Sequence, residues 1–86
     1  MTRRQRTIAV EICTALRDCG DYLLPEPTLY HQVRFGVVPV PTSGEIIEMI
    51  RDLENHHRIL GVREDGEVRW KLTGEGKAWL IEQEGA

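Results

Sequence analysis

The chain has 86 residues, 41% of them apolar, with 11 basic and 14 acidic side chains and a net charge of −3. This is the size of one small domain, too short for a βα-barrel or a full dinucleotide-binding domain, and no run approaches the roughly 18 apolar residues of a membrane span. The acidic balance weighs against nucleic-acid binding over the whole surface but leaves room for a local basic face. The charges are unevenly spread. Residues 1–43 hold five basic and four acidic groups; residues 44–86 hold six and ten. Arg3, Arg4 and Arg6 form the one dense basic cluster. Glu11, Arg17 and Asp18 interrupt the segment that follows, so it lacks the apolar core of a signal peptide, and a cytoplasmic location is expected. Cys13 and Cys19 are too few for a disulfide framework and are expected as free thiols.

In chain order, a first helix is predicted over residues 3–18. Ile8, Ile12 and Ala15 or Leu16 repeat at helical spacing, Ala9 and Cys13 lie beside them, and Gly20 supplies a stop. A short helix over 27–35 follows, with Pro27 as its first residue and Gly36 as its end; Leu29, Tyr30 and Val33 are its apolar side. Val37-Val38-Pro39-Val40-Pro41 reads as extended, an edge strand because each proline removes a ladder donor. Leu23-Leu24 is the alternative short strand. The clearest helix is predicted over 42–56. Thr42 and Glu45 form a capping box. Ile46, Ile50 and Leu53 make its stripe, widened by Ile47 and Met49. Arg51 is expected to pair with Glu48, and Arg58 with Glu54. A hairpin over 59–72 turns at Asp65-Gly66, a type I′ signal. Val68, Trp70 and Leu72 alternate inward, with Leu60 and Val62 as their expected partners; Arg63, Arg69 and Lys71 are expected to point outward. Thr73 caps a final helix, 73–83, whose apolar side draws on Trp79, Leu80 and Ile81 or Ala78. Gly76 in its first turn is expected to permit close packing.

The order helix, short helix, capped helix, hairpin, helix resembles a winged helix-turn-helix domain. Its C-terminal half carries the resemblance. SGEIIEMIRDLENHHRILGVREDGEVRWKLTGEGKAWL is similar to the end of many small winged-helix regulators. In that group the recognition helix ends in a Leu-rich turn, as Ile50 and Leu53 do here. A residue like Ile59 enters the wing, and the second wing strand ends in Leu-Thr-x-x-Gly, matched by Leu72, Thr73 and Gly76. Residues 42–82 match well; residues 3–36 match by topology alone. The resemblance implies an α+β fold, a three-helix core with a C-terminal hairpin wing and a final helix, all 86 residues forming one domain. It also implies non-catalytic DNA binding in transcriptional regulation and a homodimer through the N-terminal or C-terminal helix. Two features depart from the pattern. Gly36–Pro41 replaces a tight turn, and the third helix carries Glu45, Glu48, Asp52 and Glu54 against Arg51, where direct readout of a major groove usually uses Arg, Lys, Asn or Gln.

The candidate contacts to double-stranded DNA are Arg3, Arg4 and Arg6 as an N-terminal arm, Arg51 and Arg58 on the third helix and just beyond it, and Arg63, Arg69 and Lys71 on the wing. The alternative is a winged-helix module that binds a protein inside a larger complex, and the acidic third helix favours it. Trp70 and Trp79 read as core. The apolar residues of the first helix exceed one stripe, which points to a second packing partner. His31, His56 and His57 lack a metal-ligand spacing, and the adjacent pair reads as helix-end residues. No elbow serine, phosphate loop or HExxH is present, so no enzyme chemistry and no cofactor are expected.

Overall fold

A computed structural model describes residues 1–85. Four helices pack around a three-stranded antiparallel sheet in the order α1 (Arg3–Asp18), β1 (Leu24–Pro25), α2 (Glu26–Gly36), α3 (Ser43–Asn55), β2 (Ile59–Glu64), β3 (Glu67–Leu72) and α4 (Gly74–Glu84). This is the α+β winged helix that the sequence resembles: three helices, a hairpin wing and a closing helix.

Helix α1 is the centre of the core. Ile8, Ala9, Ile12, Cys13, Ala15 and Leu16 are all buried, and α2, α3, α4 and β3 all pack against it. The breadth of its apolar surface is therefore largely taken up inside one chain. Its start is well defined. Thr2 accepts from the Gln5 N–H, and the Gln5 side chain accepts from the Thr2 N–H, a second capping box in the chain. Gly20, at φ 60, ends the helix as expected of a left-handed stop.

The predicted edge strand at Val37–Pro41 does not form. That stretch links α2 to α3 with Val37 and Pro41 buried and Val38 and Val40 exposed. Two of its five residues lack a donor, so it has little to offer a ladder. The third strand is the alternative site. Leu24 and Pro25 pair with Trp70 and Arg69, and the strand order is β1-β3-β2. Pro25 is tolerated there because β1 is an edge.

The hairpin register corrects the expected partners. Asp65 and Gly66 take φ 51 and 79, the two positive values of a type I′ turn. Glu64 then lies opposite Glu67, Gly61 opposite Trp70, and Ile59 opposite Leu72. Residues directly opposite share a face. So Ile59 and Gly61, not Leu60 and Val62, accompany Trp70 and Leu72 on the core side. Gly61 is required there, because a Cβ would lie 2.7 Å from the Trp70 ring. Arg63 falls on this inner side as well, opposite Val68.

Helix α4 begins at Thr73, whose hydroxyl accepts from the Gly76 N–H at 3.0 Å. A Cβ on Gly76 would collide with the Arg58 carbonyl oxygen, so the close packing expected of this glycine is present. Trp79 and Leu80 are buried, while Ile81 is 68% exposed. No described helix is long and apolar enough to cross a membrane.

Candidate nucleic-acid interface

Burial divides helix α3 sharply. Ile46, Met49, Ile50 and Leu53 are buried. Ile47 is 41% exposed, so it does not widen the core stripe as expected. On a helical wheel it lies roughly 110° from the stripe's centre, against about 50° for Met49. Gly44, Ile47, Glu48, Arg51 and Asn55 share the outward face.

Ile47 and Arg51 form a ridge between two surface grooves. One groove, of about 530 Å³, runs toward the start of α1 and is lined also by Met1, Gln5, Gly44 and Glu48. The other, about 320 Å³, runs toward the wing and is lined also by Glu26, Glu54, Arg63, Val68 and Trp70. The ridge stands on two bracing contacts from arginines. Arg4 donates from Nε to Glu45 Oε2 at 2.9 Å, from Nη2 to Glu45 Oε1 at 3.2 Å, and from Nη1 to the Pro39 carbonyl at 2.9 Å. Glu45 also accepts from the Thr42 N–H at 3.0 Å within the expected capping box. The Arg4 hydrogen bond and then the Thr42 backbone hold the Glu45 carboxyl down at about 2. On the other flank, Arg63 donates to both Glu54 oxygens at 3.2 and 3.4 Å and lies 5.7 Å from the Trp70 ring centroid.

These pairs change the electrostatic picture of α3. Glu45 and Glu54 are each matched by an arginine from a neighbouring element. The expected pairs Arg51–Glu48 and Arg58–Glu54 are absent among the described residues. Arg51 carries no ion pair there, and Arg58 instead stacks 4.9 Å from the Trp79 ring centroid. Glu48 accepts a hydrogen bond from Gln5 at 3.4 Å. His56 closes the helix, its Nδ1 2.8 Å from the Asp52 carbonyl oxygen, and His57 takes the left-handed conformation at φ 59. Both are helix-end residues, as expected.

The candidate cations do not converge as one patch. Arg51 and Arg63 face the same groove. Arg6 and Arg58 line a separate hollow with Asp52 and Trp79. Arg69 and Lys71 share the opposite face of the hairpin with Leu60 and Val62, so Arg63 does not join them. Arg69 lies 3.7 Å from Glu67. Arg3 is exposed in the first turn of α1. The cluster Arg3-Arg4-Arg6 is thus helical rather than a free arm, and Arg4 is turned inward. Gly44 is not among the candidate contacts in the sequence, and Ile47 is expected there only as core; its angular offset from the stripe is the signal that places it outside.

No described group of three His, Cys, Asp or Glu residues is placed to hold a metal. Cys13 and Cys19 are free thiols, and burial pushes Cys13 up to about 12, which keeps it protonated at neutral pH.

Among solved structures the chain is similar to SSV1 F-93. The TM-score is 0.67 at 18% identity, covering 88% of this chain and 79% of that one. The likeness is one of fold. No family model matches the sequence, and no curated protein matches it.

Proposed function

We propose that the chain is a non-catalytic DNA-binding domain of the transcription-regulator type, with α3 entering the major groove. The observation that carries this reading is the ridge of Ile47 and Arg51 between two grooves. A ridge of that kind can enter a duplex groove while the flanking hollows receive the two sugar-phosphate walls. The arginine pairs on Glu45 and Glu54 remove the main electrostatic objection, since they offset two of the four acidic side chains on the helix. Arg3, Arg6 and Arg58 remain as candidate phosphate contacts; Arg4 and Arg63 serve the fold first, and Arg69 and Lys71, on the opposite face of the hairpin, could reach only phosphates beside the wing. Fluorescence anisotropy with a mixed-sequence duplex tests the reading. Binding should weaken steeply with salt, by a slope of about −0.9 per phosphate neutralised. Arg51→Ala should weaken it more than Arg4→Lys. Absence of binding at low salt overturns the reading.

A second reading, a module that docks on a protein, is favoured by one feature. Phe35, Val38 and Val40, within six residues of one another at the α2–α3 connection, are 88%, 91% and 58% exposed. Such a concentration of exposed apolar side chains marks contact surfaces. If this reading holds, Phe35→Ser abolishes partner capture and leaves duplex affinity unchanged. For self-pairing, α1 leaves no large apolar side chain exposed, and α4 leaves Ile81. A homodimer would therefore use α4. Light scattering that returns a monomer mass at high concentration excludes it.

A further inference from the structure

We infer that the ridge of α3 reads a thymine and a guanine about two base steps apart, Ile47 lying against the thymine methyl and Arg51 spanning the guanine edge. The inference rests on the DNA-binding reading and adds what the site recognises.

Ile47 is the aliphatic residue of α3 that stays outside the core; the helix's other large apolar side chains are almost wholly buried. Its position is apolar, half-exposed and central on the ridge. In a major groove the apolar group on the base edges is the thymine C5-methyl, which no other base carries. An isoleucine aimed there selects thymine over cytosine through contact rather than through hydrogen bonds.

Arg51 follows four residues later, about 6 Å further along the axis and on nearly the same face. Base steps are about 3.4 Å apart, so the two side chains address bases two steps apart. Arg51 is free for this role. The arginines that flank α3, Arg4 and Arg63, are each engaged with one of its carboxylates, whereas Arg51 has no ion pair among the described residues. A free guanidinium fork matches the paired O6 and N7 acceptors of guanine. Glu48 stands beside it as an acceptor, which suits a cytosine amino group and opposes acceptor edges.

Gly44 completes the ridge one turn before Ile47. Only Thr42 Oγ1, at 3.9 Å, lies near the place a Cβ would take. The fold does not need a glycine there, yet its absence of side chain lets the helix backbone approach a duplex closely.

The test uses the DNA rather than the protein fold. A preferred site is first selected from a random duplex pool with the full chain. Deoxyuridine then replaces thymine in that site, and 7-deazaguanine replaces guanine. Removing the one methyl should weaken binding about fourfold, and removing the N7 acceptor about tenfold. Ile47→Ala should abolish the uridine effect and keep the deazaguanine effect; Arg51→Ala should do the reverse. Ile47 and Arg51 are both solvent-exposed, so circular dichroism should show both variants folded. Salt-sensitive binding without a selected site, or with a site indifferent to both analogues, overturns this inference and leaves the DNA-binding reading standing. No duplex binding at low salt overturns both. A selected site with analogue effects untouched by either substitution also overturns it, because other residues would then do the reading.

Discussion

Arg4 and Glu45 do at the residue scale what their sequence separation hides. Arg4 looks like one of three arginines in a basic tail, yet all three of its described contacts point into the molecule and fix the linker and the start of α3. The carboxyl of Glu45 is held well below its ordinary range, chiefly by that guanidinium. The sign follows from linkage: a depressed carboxyl pKa adds stability above the unfolded value of about 4.3, and the gain is lost as pH falls through about 2. Thermal unfolding followed from pH 7 to pH 2 should therefore show Arg4→Ala less stable than wild type at neutral pH, with the gap narrowing toward pH 2. A gap independent of pH would remove the pair as its source. Two glycines make a second contrast. Gly76→Ala drives a Cβ onto the Arg58 carbonyl oxygen and should cost about 1–3 kcal/mol, seen as a lower Tm. Gly44→Ala meets only an ordinary contact with Thr42 Oγ1 at 3.9 Å and should be neutral or gain up to about 1 kcal/mol from helix propensity. Duplex affinity should fall several-fold in Gly44→Ala, against the direction of its stability.

Among the elements, the hairpin separates what was legible in the sequence from what was not. Asp65-Gly66 marked the turn, and Trp70 and Leu72 marked the inner face of β3. The partner residues were then a matter of counting outward from a two-residue turn, which puts Gly61 opposite Trp70. Leu60 and Val62 attracted the assignment because they are apolar and Gly61 and Arg63 are not. The geometry of the turn outranks hydrophobicity here, and Trp70 needs the space that a glycine leaves. Gly61→Ala should cost about 1–3 kcal/mol by overpacking that ring, measurable by urea unfolding with unchanged m-value. The start of α3 is legible in the sequence, since the Thr42–Glu45 capping box is a local signal. Its ion pairs are not, because Arg4 and Arg63 come from 41 and 9 residues away and local spacing cannot foresee them. The segment Val37–Pro41, expected as an edge strand, takes no place in the sheet. Which strand joins an open sheet edge depends on tertiary proximity, and Leu24 enters directly from the turn after α1.

For the molecule as a whole, a net charge of −3 proves less informative than where the charge is cancelled. The acidic helix expected to repel DNA is braced on both sides by arginines, and the uncompensated cation on its outward face is Arg51. The exposed Phe35 and Val38 lie at the α2–α3 connection and line neither groove beside Ile47 and Arg51. Backbone amide NMR during titration with a short mixed-sequence duplex at low salt is the most direct measurement of the central claim. Shifts should concentrate on Gly44, Ile47, Glu48 and Arg51, with smaller ones at the groove-lining Arg63 and Val68, and should disappear as salt is raised. No shifts at low salt, or shifts confined to residues 34–40, would contradict the assignment of α3 as the DNA-reading helix.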